Sequence, residues 1–156
     1  MLYRKFYDEL VKWYKQEKKL ALLIDGARQI GKTTLIRQFA KDYYGDNFVE
    51  INFINTPSAK EIFVGDLSVD GIISKLTLFL RRPLTPHKTL IFFDEVQECL
   101  EVRTAIKFLV DDGRFDYIES GSLLGINYKE IKSYAVGYEE NRTMYPMDFE
   151  EFAIAN

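Results

Sequence analysis

Nine consecutive residues, Gly26-Ala27-Arg28-Gln29-Ile30-Gly31-Lys32-Thr33-Thr34, constrain this chain more than any other stretch. They fit the spacing G-x-x-x-x-G-K-[ST]. The two glycines permit backbone turns that a side chain obstructs. Such a loop turns its N–H groups inward, onto a polyphosphate. The helix that opens at its end adds a positive dipole end. In this arrangement Lys32 reaches the β- and γ-phosphates and the Thr33 hydroxyl sits on Mg²⁺. The plain alternative is a glycine-containing turn before a surface helix. Chance alone gives the pattern in about one chain in two hundred of this length, and the flanks argue further. Leu20-Ala21-Leu22-Leu23-Ile24 precedes it as a continuous apolar run, the mark of a strand buried on both faces. Leu35, Ile36, Phe39, Ala40 and Tyr43 follow at helical spacing.

A second stretch, Thr89-Leu90-Ile91-Phe92-Phe93-Asp94-Glu95, is an apolar strand ending in two acids. Carboxylates at the C-terminal end of a buried parallel strand lie where α/β sheets bind ligands. Beside a phosphate loop, Asp94 is the expected Mg²⁺-linked acid. Glu95 is the candidate base that polarises an attacking water. A third stretch, Ser120-Gly121-Ser122, follows a short strand at 115–119. Its hydroxyls suit either contact with a γ-phosphate or an ordinary turn, and the sequence leaves both open.

The remaining segments are supporting structure. Tyr3, Phe6, Tyr7, Leu10, Val11 and Tyr14 share one helical face, expected to pack on the domain's own sheet. The helix after the loop should stop at Gly45. A strand is expected over 48–54 and a short helix from Asn55-Thr56-Pro57-Ser58. Asp70 is the candidate cap of a helix carrying Ile72, Ile73, Leu76, Leu78, Phe79 and Leu80. Residues 81–88, with two prolines, read as a loop, and its lone His87 has no partner at metal-ligand spacing. Helices follow at 100–110 and 129–134, and a last strand at 142–145. Asp148 and Glu151 have the spacing of reciprocal cap partners for a final helix. That helix has a well-formed start and little body, as expected of a truncated chain; a short terminal helix docked on the core is the alternative.

At 156 residues, with 47% hydrophobic and 15% aromatic content, one domain over 1–156 with a sizeable core is expected. The formal net charge of −3, with both signs interspersed, does not indicate a nucleic-acid-coating protein. A single cysteine, Cys99, excludes an internal disulfide. No apolar run approaches the ~20 residues of a membrane helix. A cytoplasmic setting is the default expectation.

Taken with Asp94-Glu95-Val96-Gln97, Ser120-Gly121-Ser122-Leu123-Leu124-Gly125 and Tyr145-Pro146-Met147-Asp148-Phe149-Glu150-Glu151-Phe152, the loop gives the chain a family resemblance. It resembles the N-terminal ATPase core of prokaryotic AAA-type ATPases that carry a C-terminal domain of unknown function. The resemblance implies an α/β phosphate-loop NTPase fold in three layers. Its parallel five-stranded sheet has the order 5-1-4-3-2, with helices on both faces. It implies ATP as the nucleotide, a sensor hydroxyl at Ser120 in preference to Ser122, and Gln97 near the γ-phosphate. A homo-oligomer or a missing C-terminal domain is the implied partner.

Such enzymes usually receive an arginine finger from a neighbouring subunit. Between Ser122 and Asn141 this chain has Lys129 and Lys132 but no arginine, and neither Arg114 nor Arg142 can be assigned that role. An arginine finger is worth about 10³–10⁵ in rate, so slow turnover is expected of the isolated chain. The competing function is a nucleotide-gated switch with incidental hydrolysis. A small-molecule phosphotransferase is disfavoured by the Asp94-Glu95 pair. A GTPase is disfavoured by the lack of an [NT]-K-x-D tetrad. A dinucleotide protein lacks its G-x-G-x-x-G spacing.

Overall fold

The computed structural model describes residues 4–122 and 137–155. Tyr3, Leu123-Leu124-Gly125, Lys129, Lys132 and the helix expected at 129–134 lie outside these residues. Five strands form one parallel sheet: β1 (Ala21–Asp25), β2 (Phe48–Asn52), β3 (Leu90–Asp94), β4 (Asp116–Gly121) and β5 (Glu139–Thr143). The order is β2-β3-β4-β1-β5, which is the 5-1-4-3-2 arrangement read from the other edge. The helices are α1 (Phe6–Tyr14), α2 (Lys32–Tyr44), α3 (Val69–Leu80), α4 (Glu101–Asp112) and α5 (Phe149–Ala155). Short 3₁₀ turns lie at Pro57–Phe63 and Val96–Glu98.

The apolar runs explain the layering. In β3 every residue is buried, because successive side chains enter opposite cores. Leu90 and Phe92 join Leu22 and Ile24 of β1 under Ile36 and Phe39 of α2. Ile91 and Phe93 join Leu23, Leu76 of α3 and Ile106 of α4 on the other face. The α1 helix joins the same core as α2. Leu10 and Trp13 are its buried residues, and Trp13 Nε1 donates to the Leu20 carbonyl at 2.7 Å. The rings of Tyr7, Trp13, Tyr14 and Tyr43 surround Phe39.

Several boundaries differ from the sequence expectation. The cap of α3 is Ser68, whose Oγ accepts from the Gly71 N–H at 3.0 Å. Asp66 Oδ1 sets this cap by accepting from the Ser68 N–H. Asp70 instead lies in the first turn and meets Arg114 at 2.9 Å. On α3, Ile72 and Leu76 are buried, whereas Leu78 is 77% exposed. β2 stops at Asn52 because Asn52 Oδ1 accepts from the Ile54 and Asn55 N–H groups, turning the chain. β4 runs on through Ser120 and Gly121, which pair in the ladder with Ile24 and Asp25 rather than forming a turn.

β5 begins three residues before its expected start. Its sequence, Glu139-Glu140-Asn141-Arg142-Thr143, has no apolar signature. Its inward Glu139 is buried by pairing with Arg103 of α4, which also meets Glu119 of β4 at 3.0 Å. A charge cluster therefore does at this sheet edge what apolar residues do elsewhere. Among the described residues, no helix is long and apolar enough to cross a membrane.

Candidate functional site

The C-terminal ends of β1, β3 and β4 meet the start of α2. Gly26 follows β1 and cannot carry a side chain: a Cβ there would stand 2.5 Å from the Met144 carbonyl oxygen. Gly31 caps α2 in the left-handed region, at φ 92°. Gln29 is also left-handed, at φ 63°, a conformation non-glycine residues adopt sparingly. Lys32 is the first residue of α2 and is 8% exposed. Its Nζ donates to the carbonyls of Gly26 at 2.6 Å and Ala27 at 2.7 Å. The lysine thus folds back over its own loop. Burial holds its ammonium below the usual pKa, with Glu95, Asp94 and Asp25 opposing that shift.

Thr33 Oγ1 donates to Asp94 Oδ2 at 2.7 Å, joining the loop to the end of β3. Asp94 Oδ1 accepts from the Glu95 N–H at 2.9 Å, and Asn52 Nδ2 reaches Asp94 Oδ2 at 3.4 Å. Burial raises the pKa of the Asp94 carboxyl, while the Thr33 hydroxyl works against that rise. Glu95 sits in the left-handed region at φ 60°. Gln97 Nε2 donates to Glu95 Oε2 at 2.6 Å. Ser120 is opposite Asp94 in the parallel register. Among the described residues, the buried Ser120 Oγ and Gln97 Oε1 make no hydrogen bond. Two polar atoms without partners beside an acid pair are what a site awaiting a polar ligand offers.

Two clefts open here. A polar one of about 180 Å³ is lined by Arg28, Gln29, Gly31, Lys32, Thr33, Thr34 and Glu95. A larger, mostly apolar one of about 530 Å³ lies on the far side of Gly31 and Thr34, against Ile30, Leu35, Pro146 and Met147. Adjoining polar and apolar clefts suit a phosphate chain joined to a planar base. The Thr33 hydroxyl and the Asp94 carboxylate form a hard-oxygen pair. Such a pair fits Mg²⁺, which takes one or two protein oxygens and completes its shell with phosphate and water.

The structure therefore gathers Gly26 to Thr34, Asp94, Glu95, Gln97 and Ser120 at one end of the sheet. Arg114 is elsewhere, before the start of β4 and paired with Asp112 and Asp70. Arg142 on β5 pairs with Glu9 and Glu140. Two neighbours of the site were missed by sequence reasoning. Asn52 ends an edge strand and carries no local motif. Arg4 looks like one more polar residue before α1, yet Arg4 Nη1 donates to the Ile30 carbonyl at 2.7 Å.

A family model described as an AAA domain matches residues 18–153. Comparison with curated protein sequences gives no match. Among solved structures, the fold is similar to a katanin studied for its self-assembly (TM-score 0.54, 14% identity, covering 91% of this chain and 47% of that one). It is similar also to AMPPCP-bound DnaA from Aquifex aeolicus (TM-score 0.55, 14% identity, covering 96% and 48%). The chain thus spans about half the length of each.

Proposed function

Because the chain belongs to the AAA-domain family whose model it matches over residues 18–153, we propose that it is an ATP-binding ATPase core that hydrolyses ATP to ADP and phosphate. The observation that carries this reading is the Thr33–Asp94 hydrogen bond of 2.7 Å, with Lys32 over the loop and Glu95 adjacent. It brings the start of α2 and the end of β3 to one point, where a terminal phosphate needs both. The AMPPCP bound to the similar DnaA supports a nucleotide at this site.

The roles follow from position. The loop from Gly26 to Thr34 wraps the phosphates, and the apolar cleft takes the base. Lys32 moves from the Gly26 and Ala27 carbonyls to the β- and γ-phosphates, exchanging neutral acceptors for charged ones. Thr33 and Asp94 would hold Mg²⁺, which would supply charge neutralisation to the phosphates. Glu95 accepts a proton from, and orients, the water that attacks in line with the leaving β-phosphate oxygen. Ser120 Oγ, beside Asp94 in the ladder and without a partner among the described residues, is the candidate for a hydrogen bond to the γ-phosphate.

Turnover should be slow in isolation, below about 1 per second, for want of an arginine donated by a neighbour. The self-assembly studied for katanin supports a homo-oligomer as the form that would supply it. One observation favours a nucleotide-gated switch with incidental hydrolysis: Gln97 Nε2 donates to Glu95 Oε2 at 2.6 Å, which commits one of the two carboxylate oxygens and leaves Oε1 as the one to face water. Glu95→Gln separates the two readings from a site that binds nothing. An ATPase loses single-turnover hydrolysis in this variant and keeps ATP affinity within about threefold. Unchanged hydrolysis in Glu95→Gln would remove Glu95 from the mechanism.

A further inference from the structure

Arg4 precedes α1 and is 8% exposed. Its guanidinium spans three separate segments. Nη1 donates to the Ile30 carbonyl of the phosphate loop at 2.7 Å, and Nη2 to the Tyr145 carbonyl after β5 at 2.7 Å. Nε donates to Glu151 Oε2 of α5 at 3.1 Å. Glu151 is equally committed. Its Oε2 also accepts from the Lys5 N–H at 2.8 Å, and its Oε1 from the Asp148 N–H at 2.9 Å. An exposed ion pair of ordinary kind fixes little. Here a planar fork with fixed donor directions is buried among three acceptors, which sets geometry as well as energy.

Two consequences follow. The Ile30–Gly31 peptide is planar and trans, so its N–H points opposite to its carbonyl. By holding the Ile30 oxygen, Arg4 fixes the direction of the Gly31 N–H, one of the loop's phosphate donors. Arg4 stands close enough that a Cβ on Gly31 would be 3.3 Å from Nη1. At its other end, Arg4 holds α5 through Glu151. Glu151 is the one buried residue among the described side chains of α5, while Phe149 is 85% exposed. Ion pairs of Arg4 with Glu151 and of Lys5 with Asp148 and Glu150 join α5 and its cap to the start of the chain.

We propose that Arg4 is a positioning residue for nucleotide binding that ties the phosphate loop to α5, so that nucleotide occupancy and the docking of α5 are coupled. This rests on the ATP-binding reading above. Coupling of this kind is reciprocal: a nucleotide that favours the held loop also favours the docked helix.

The test uses the full chain with ATP and Mg²⁺. Hydrogen exchange of residues 149–155 is followed with and without nucleotide, and ATP affinity is measured for wild type, Arg4→Ala, Arg4→Lys and Glu151→Gln. Nucleotide should slow exchange in α5 of the wild type. Arg4→Ala should weaken ATP by about fivefold or more and abolish the nucleotide effect on α5. Arg4→Lys keeps the charge without the fork and should recover part of the affinity. Glu151→Gln keeps Arg4 and should loosen α5 with a smaller loss of affinity. A wild type that binds ATP with α5 exchange unchanged overturns the coupling and leaves the ATPase reading standing. A folded Arg4→Ala that binds ATP like wild type overturns the positioning role. Should Arg4→Ala fail to fold, the wild-type exchange and Glu151→Gln still decide. A folded wild type that binds no ATP overturns both the reading and this inference.

Discussion

Arg103→Met should destabilise the protein by about 3–5 kcal/mol, because removing one partner of a buried ion pair leaves a charge uncompensated. Arg103 and Glu119 are fully buried, and the Glu139 side chain is 2% exposed. Two ionised carboxylates facing this guanidinium would bury an excess negative charge. Burial, reinforced by Glu139, pushes the Glu119 carboxyl well above its usual 4.5, with Arg103 opposing. Glu119 is therefore the carboxyl of this cluster that resists ionisation. Glu119→Gln resembles the protonated acid and should cost at most about 1 kcal/mol at mildly acidic pH. In a domain of this size each kcal/mol moves the midpoint by about 2–4 °C, so Arg103→Met should melt about 6–20 °C lower. The sign of the pH dependence is fixed as well. An acid whose folded value is raised binds more protons folded than unfolded above its ordinary 4.5. Its contribution to stability is thus lost as pH rises from there through the raised value. The gap between wild type and Glu119→Gln should shift in favour of the glutamine as pH rises. Thermal unfolding followed by circular dichroism over a pH series reads all of this. A loss under about 1 kcal/mol in Arg103→Met, or an equal loss in Glu119→Gln, would refute the assignment.

Four further substitutions test smaller parts. Gly26→Ala places a Cβ 2.5 Å from the backbone oxygen of Met144, which cannot swing aside; a loss of about 1–3 kcal/mol in denaturant melts is expected, together with loss of nucleotide binding. Gly121→Ala meets the end of the Gln97 side chain, near Oε1, which can turn away, and stands 3.3 Å from the Val96 backbone nitrogen, a tight approach that needs a shift of a few tenths of an ångström. Stability should change by under about 1 kcal/mol while kcat shifts and ATP affinity holds, through the displaced Gln97–Glu95 contact. Ser68→Ala removes the cap of α3 and should cost about 1 kcal/mol in the same melts, whereas Asp70→Ala should cost less.

The parts of the fold legible in the sequence were those written by local rules. The Leu20 to Ile24 and Leu90 to Phe93 runs are apolar because both faces of those strands are buried. Glycine spacing marks the loop for the same local reason. The Asp148–Glu151 capping pair forms reciprocally, at 2.9 and 2.8 Å. What escaped was tertiary. β5 is a polar edge strand whose inward glutamate is satisfied by an arginine thirty-six positions earlier in the chain. Ser68 takes the cap from Asp70 because Asp66 turns the chain two residues sooner. Arg4 reaches partners 26, 141 and 147 positions away, and no local pattern marks such a residue.

The central claim is that the loop from Gly26 to Thr34, closed by Asp94, binds ATP. Calorimetric titration of the purified chain with ATP, with and without Mg²⁺, beside Lys32→Ala tests it most directly. Mg²⁺-dependent binding is expected, weakened by about tenfold or more in Lys32→Ala through the loss of a charge-assisted hydrogen bond. Binding that is indifferent to Lys32, or no binding by a wild type shown to be folded, would contradict it.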